Sequence, residues 1–241
     1  MTATPEQQHA PQQEHLLPQE HPPREGHGGG PTSPADGLGP AERRVVELLR
    51  RTPAPGPVLS RLHARLAAEA GGRGAVDVAY TTVATPVGVL LLAATEQGLV
   101  RVAYDVEDHD RVLQALADAL SPRILRAPAR LSVAERQVQE YFARERTRFD
   151  LPLDLALSRG FRRDVQRRLL DIGYGDTRSY TEVAALVGSP RAVRAVGSAC
   201  ATNPLPVVVP CHRVLRSDGA LGGYIGGLAA KTALLALEQV A

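Results

Sequence analysis

Residues 179–228 read SYTEVAALVGSPRAVRAVGSACATNPLPVVVPCHRVLRSDGALGGYIGGL. The stretch opens on two short helical segments, 181–187 (TEVAALV) and 190–200 (PRAVRAVGSAC), separated by Gly188-Ser189-Pro190. Gly and Pro punctuate a turn there, and Pro190 suits the first turn of a helix, where no backbone N–H is needed. Two short helices joined by a Gly-containing turn form the helix-turn-helix pattern. Asn203-Pro204-Leu205-Pro206 follows and cannot be helical, because proline lacks a donor and restricts its predecessor. Val207-Val208-Val209 then predicts a short buried strand that ends at Pro210-Cys211-His212-Arg213-Val214. A Cys beside a His suits nucleophilic chemistry, since a base raises the thiolate fraction. Neighbours in an extended chain point opposite ways, so the pair alone equally describes a buried Cys next to a surface His.

Upstream, residues 160–172 (GFRRDVQRRLLDI) place Phe161, Val165, Leu169 and Ile172 at helical spacing with Arg on the other face. From Arg159 onward there are eleven Arg or Lys against six Asp or Glu, a net of +5, whereas residues 1–158 carry a net of −3. The basic part of the chain is therefore the part suited to a phosphate backbone. Its bases are Arg except for Lys231, which reflects coding bias, and Arg also serves phosphate contacts well.

Residues 76–84, 87–94 and 98–104 are rich in Val, Leu and Thr and are separated by Pro86-Val87-Gly88 and Glu96-Gln97-Gly98. That pattern predicts three short antiparallel strands. Helical stretches follow at 108–120 and 132–146. The expected fold is α/β (α+β) in two domains: a small α/β domain over 75–155 with a three-stranded antiparallel sheet, and a mostly helical domain over 156–241. Residues 1–40 are rich in Pro, Gln, His, Glu and Gly and read as a disordered tail. Residues 41–74 read as a helical extension, with helices over 41–51 and 58–70 ended by Gly71-Gly72. His9, His15, His21 and His27 recur every six residues without any Cys, and read as low complexity, not a metal site.

Aromatics are only 4% and Trp is absent, so the core must be built from Ala, Val and Leu. Two cysteines, Cys200 and Cys211, make no disulfide framework and fit a reducing cytoplasm. No apolar run is long enough for a membrane span or a secretory signal, so no membrane partner is expected.

Beyond PCHRV, the string 203–228 together with SYTEVAALVGSPRAVRAVG (179–197) and GGLAAKTALLALE (226–238) resembles the O6-alkylguanine-DNA alkyltransferases, also called methylated-DNA–protein-cysteine methyltransferases. The resemblance runs from about Phe161 to Glu238, with a weaker match from Ala75 onward. It implies a ribonuclease-H-like N-terminal domain and a winged helix-turn-helix-like C-terminal one. It further implies a monomer acting on double-stranded DNA that contains O6-alkylguanine, with no cofactor. Cys211 would accept the alkyl group, His212 would activate it through a water, and Glu238 would orient the His. Tyr180 would assist nucleotide rotation and donate a proton to the leaving guanine. Arg194 would be the finger that fills the gap left by the flipped base, with Ser179 and Ala192 beside it on the DNA. Asn203 would brace the turn before the Cys, and Val214, Tyr224 and Ile225 would line the guanine site.

These roles are chemically coherent. An alkyl group on O6 lies within the base stack, so the nucleotide must leave the stack, and an inserted Arg offsets part of the unstacking cost. Guanine leaves more readily when protonated. The resulting thioether has no carbonyl for water to attack, so the acceptor is used once. Some relatives carry a zinc site in the N-terminal domain; here that region has no Cys and from residue 75 only His109, so no metal is expected. Ile225 stands where relatives often have a polar side chain, which puts substrate range in question. Three other readings compete: a module that binds alkylated bases without transfer, a cysteine hydrolase using Cys211 and His212, and a transcriptional role for the N-terminal extension. The hydrolase gives the basic helix pair no task, the extension lacks metal-ligand cysteines, and Cys211 itself speaks against pure binding.

Overall fold

The alternating and continuous apolar runs of residues 78–104 form an antiparallel meander: β1 (Val78–Thr85), β2 (Gly88–Ala94) and β3 (Leu99–Tyr104). A computed structural model describes residues 61, 62, 65, 69 and 75–239 of the 241-residue chain. The tail over 1–40 and the helix expected over 41–51 lie outside the described residues. Of the segment 58–70, residues 61, 62, 65 and 69 are described and are helical.

The sheet has four strands, not the three expected. After helix α1 (His109–Ala119), β4 (Ile124–Arg126) pairs in parallel with β1 (Val78↔Ile124 to Tyr80↔Arg126), giving the order β3-β2-β1-β4. A three-residue strand is too short to display alternation, and parallel pairing requires the crossover that α1 supplies. Both faces of the sheet are covered. Val78, Leu91, Ala93, Val100 and Ala103 pack with Val112 and Leu116 of α1. Ala79, Val83, Leu90, Leu92 and Val102 pack with Leu131, Ala134 and Val138 of α2 (Pro128–Phe142). Double coverage explains why GVLLLAA reads as one apolar run. Gly98, with φ +146°, is needed where the chain recrosses: a Cβ there would lie 2.2 Å from the Pro152 carbonyl oxygen.

The core on the α2 face continues without interruption into the C-terminal segment, through Val165, Leu169, Val183, Val196, Ala199, Val207, Val209 and Leu234. Here lie α3 (Phe161–Leu169), α4 (Tyr180–Leu186), α5 (Val193–Ala201) and α6 (Gly227–Glu238), with a two-residue parallel pair of β5 (Arg178–Ser179) and β6 (Val214–Leu215). Ser179 caps α4 in a capping box: its Oγ accepts from the Glu182 N–H at 3.2 Å, and Glu182 Oε2 accepts from the Ser179 N–H at 2.6 Å. α5 begins three residues later than its proline suggested. Pro190 falls in the turn before it, and Ala192 is the N-cap.

The strand expected at Val207–Val209 does not form. These residues make a buried turn with Val207 at φ +72°, an unfavourable conformation for a β-branched side chain. Three consecutive valines read as a buried strand by hydrophobicity, but Pro204, Pro206 and Pro210 withhold the N–H groups that a sheet ladder needs. The turn closes on itself through the Val209 N–H to the Leu205 carbonyl (2.7 Å).

Candidate active site

That turn sets Cys211 at the start of a single 3₁₀ turn, Cys211–Arg213, whose residues are all buried. Asn203, 0% exposed, holds it from below. Its Nδ2 donates to the Val209 carbonyl at 2.9 Å and to Cys211 Sγ at 3.1 Å, and its Oδ1 accepts from the Leu205 N–H at 3.0 Å. Burial pushes the Cys211 thiol up to about 11, against the smaller opposing pull of the Asn203 hydrogen bond and the Lys231 charge. The thiol is thus protonated at neutral pH until a base removes its proton.

The 3₁₀ turn sends His212 the other way, into the protein. Its Nε2 lies 2.9 Å from Glu238 Oε1, at the end of α6. Burial favours the neutral carboxyl of Glu238 and pushes its pKa up, but hydrogen bonds from His212, Arg213 and Tyr141 outweigh it and hold the carboxyl at about 2. An ionised carboxylate only accepts, so the imidazole N–H is assigned to Nε2. Nδ1 then carries a free lone pair, and it has no hydrogen-bond partner among the described residues. Burial lowers the His212 pKa despite the Glu238 hydrogen bond, which favours the neutral ring that can act as a base.

Arg213 completes the buried charge balance. Its Nε and Nη2 donate to the two Glu238 oxygens, each at 2.9 Å, and Nη1 donates to the Ile172 carbonyl at 2.5 Å. The bidentate geometry is the arrangement in which a buried ion pair best offsets its desolvation.

The loop after β6 folds back over the same region. Lys231, 0% exposed, donates from Nζ to the carbonyls of Val214 (2.7 Å) and Leu221, tying β6 to the Gly-rich loop. Gly222 lies against the Tyr180 side chain, where a Cβ would come within 2.8 Å of Oη. Tyr180 is half-buried, and burial raises its phenol further from ionisation, so it remains a proton donor. Tyr224 Oη is hydrogen-bonded to Tyr104 Oη at 3.0 Å, and Ile225 packs on the core beside it.

The structure therefore gathers Cys211, Asn203, His212, Glu238, Val214, Tyr224 and Tyr180 around one turn and one loop. Ser179 and Ala192 stand at helix starts. Arg194 is exposed on the first turn of α5, with no ion pair among the described residues. Four residues at the site carried no such role in the sequence reading. Tyr104 and Tyr141 come from the N-terminal segment, where nothing in the local pattern marks them. Arg213 sits within PCHRV but reads as one more basic residue. Lys231 had a signal: it is the only Lys in a chain with 28 basic residues. Among the described residues no helix is long and apolar enough to cross a membrane, and no cluster of His, Cys, Asp and Glu could hold a metal ion.

Two family models match. Residues 78–155 match "6-O-methylguanine DNA methyltransferase, ribonuclease-like domain", and residues 160–240 match the DNA binding domain of the same name. The methylated-DNA–protein-cysteine methyltransferase of Mycolicibacterium paratuberculosis is 42% identical over 162 residues, 67% of this chain and 93% of the relative. The constitutive enzyme of Bacillus subtilis is 41% identical, over 67% of this chain and 95% of its own length. The crystal structure of Mycobacterium tuberculosis OGT in complex with DNA superposes with a TM-score of 0.58 at 41% identity, over 67% of this chain and 92% of that one.

Proposed function

The chain belongs to the methylated-DNA–protein-cysteine methyltransferase family, and from that premise we propose that Sγ of Cys211 is the atom that receives the alkyl group. The reaction is direct-reversal DNA repair by alkyl transfer to a cysteine. The fold is a two-domain α/β one, with a ribonuclease-like N-terminal domain and a DNA-binding C-terminal domain.

The observation that supports the assignment is a pair of buried hydrogen bonds on one 3₁₀ turn, Asn203 to Cys211 and His212 to Glu238. In our reading His212 Nδ1 takes the Cys211 proton through one water, and the Glu238 charge stabilises the imidazolium that forms. The thiolate then attacks the alkyl carbon. The S–C bond forms as the C–O6 bond breaks, and the bonding pair leaves on guanine, which Tyr180 protonates. The product is a thioether and a repaired guanine, so each molecule acts once. The basic C-terminal part binds double-stranded DNA through phosphate contacts, with α4 and α5 as the helix pair of a winged helix-turn-helix and β5–β6 at its flank. Arg194 enters the stack in place of the flipped nucleotide, beside Ser179 and Ala192. Val214, Tyr224 and Ile225 line the guanine site, which Lys231 braces through the carbonyls of Val214 and Leu221. The chain acts as a monomer in the cytoplasm and needs no cofactor.

The test is peptide mass spectrometry after mixing the protein with a duplex oligonucleotide bearing one O6-methylguanine. One methyl group should appear on the peptide that contains Cys211, in an amount that never exceeds the protein, and Cys211→Ala should take up none. A methyl group on another residue, or repair of a large molar excess of lesions, would overturn the assignment.

A further inference from the structure

We infer that Tyr141, a residue of the N-terminal domain, is a positioning residue of the His212–Glu238 pair. Its phenol donates to Glu238 Oε1 at 2.6 Å, across 97 residues of sequence, and the ring is fully buried. Oε1 is the same oxygen that accepts from His212 Nε2 and from Arg213 Nη2. Three donors thus share one oxygen, while Oε2 takes Arg213 Nε and the Gly175 N–H. The inference rests on the reading of Cys211 and His212 given above.

The consequence for His212 follows from competition. A carboxylate oxygen that accepts from several donors has its charge spread among them, and it attracts each one less. Tyr141 therefore restrains the pull of Glu238 on the imidazole proton, and it fixes the carboxylate in the plane that keeps Nδ1 turned away from Glu238. The ring is in turn held by Phe142 and Phe149, with centroids 5.2 Å away, and by Tyr174 at 6.1 Å. The titratable and charged groups around the pair are Arg213, Lys231, Cys211, Tyr174 and Tyr224, from the 3₁₀ turn, α6, the loop after α3 and the Gly-rich loop. Tyr104 also enters from the N-terminal domain, but it bonds Tyr224; Tyr141 is the side chain of that domain that bonds Glu238 itself.

The experiment measures the rate of Cys211 benzylation by free O6-benzylguanine against pH, in the full chain. Tyr141→Phe removes one oxygen, and its effect is to leave Glu238 pulling harder on His212, so the midpoint of the acid limb should rise by about half a pH unit. Placing 3-fluorotyrosine at position 141, a stronger donor of nearly the same size, should lower it, and keeps the test open if Tyr141→Phe does not fold. In a Glu238→Gln background Tyr141→Phe should produce no further shift. Leu91→Ala opens the core on the other face of the sheet, away from Tyr141 and Glu238, and should lower Tm while leaving the midpoint in place. Unchanged midpoints in both Tyr141 variants, or a Leu91→Ala shift equal to that of Tyr141→Phe, would overturn the inference. Wild-type protein that is not benzylated on Cys211 would overturn the underlying reading instead.

Discussion

Glu238 is a carboxylate kept ionised inside the protein at 2% exposure, and its partners decide what happens when it is altered. Glu238→Gln leaves Arg213 buried with its charge uncompensated, which costs about 3–5 kcal/mol at neutral pH. The pH dependence has a definite sign. The folded pKa, about 2, lies below the ordinary 4.5, so the carboxylate's contribution is fully present above pH 4.5 and is lost as the pH falls toward 2. Urea unfolding of wild type and Glu238→Gln should therefore differ most at neutral pH, and the gap should close between pH 4.5 and 2. A gap that stays constant over that range would mean that the Arg213 and His212 hydrogen bonds do not set the acidity of Glu238. At this scale Cys211, His212, Asn203 and Glu238 were named in the sequence through a family resemblance spread over 179–238, since a Cys-His pair alone is ambiguous. Tyr141 was not, because a hydrogen bond spanning 97 residues leaves no trace in local sequence.

Arg194 on helix α5 and Gly226 in the Gly-rich loop each permit a test at a single position. Arg194 stands exposed on the first turn of α5, where its removal disturbs no packing. Arg194→Ala should slow repair of duplex DNA at least tenfold and leave the reaction with free O6-benzylguanine nearly unchanged. Equal losses on the two substrates would contradict a role in flipping. Gly226 lies under the Tyr104 ring, where an added Cβ would stand 2.7–2.8 Å from three ring carbons. Gly226→Ala must displace either the loop or Tyr104, and should reduce benzylguanine reactivity and Tm together. Tyr104→Leu in the same chain should restore much of the reactivity by making room. If the double variant is no better than Gly226→Ala alone, the loop does not take its position from Tyr104. The elements themselves were legible wherever periodicity was long enough: the three strands of the meander and helices α1 to α5, whereas α6 (Gly227–Glu238) was quoted only within the family resemblance. The three-residue β4 and the proline-flanked valine turn were misread or missed, since one is too short to show a period and the other is apolar without being extended.

Across the molecule the two domains share one core and are tied at the turn that carries Cys211. The Val102 N–H donates to the Pro204 carbonyl at 2.8 Å, Arg101 Nη1 donates to the same oxygen at 3.2 Å, and the Tyr104–Tyr224 and Tyr141–Glu238 hydrogen bonds cross the same boundary. Opening either domain would break all of these hydrogen bonds and expose the shared apolar core, so unfolding should be a single transition. Thermal scans followed by far-ultraviolet circular dichroism and by Cys211 reactivity toward a thiol reagent should give one Tm. Leu90→Ala, deep in the N-terminal sheet, should lower both signals by the same amount. Cys211 exposure that precedes loss of the sheet would show two separable units.

What the sequence determined by itself was local and contiguous: the strand and helix periods, the proline-bounded segment around Cys211, and the basic excess after Arg159. Those features arise from neighbours along the chain, and a chain read in order reveals them. The tertiary structure decided the rest. It converted the three valines into a buried turn, because the flanking prolines deny them a ladder. It turned Arg213 and Lys231 inward, because buried carboxylate and carbonyl oxygens were there to receive them. It also brought Tyr104 and Tyr141 from the other domain onto the site, because the shared core packs β3 and α2 against the turn that carries Cys211.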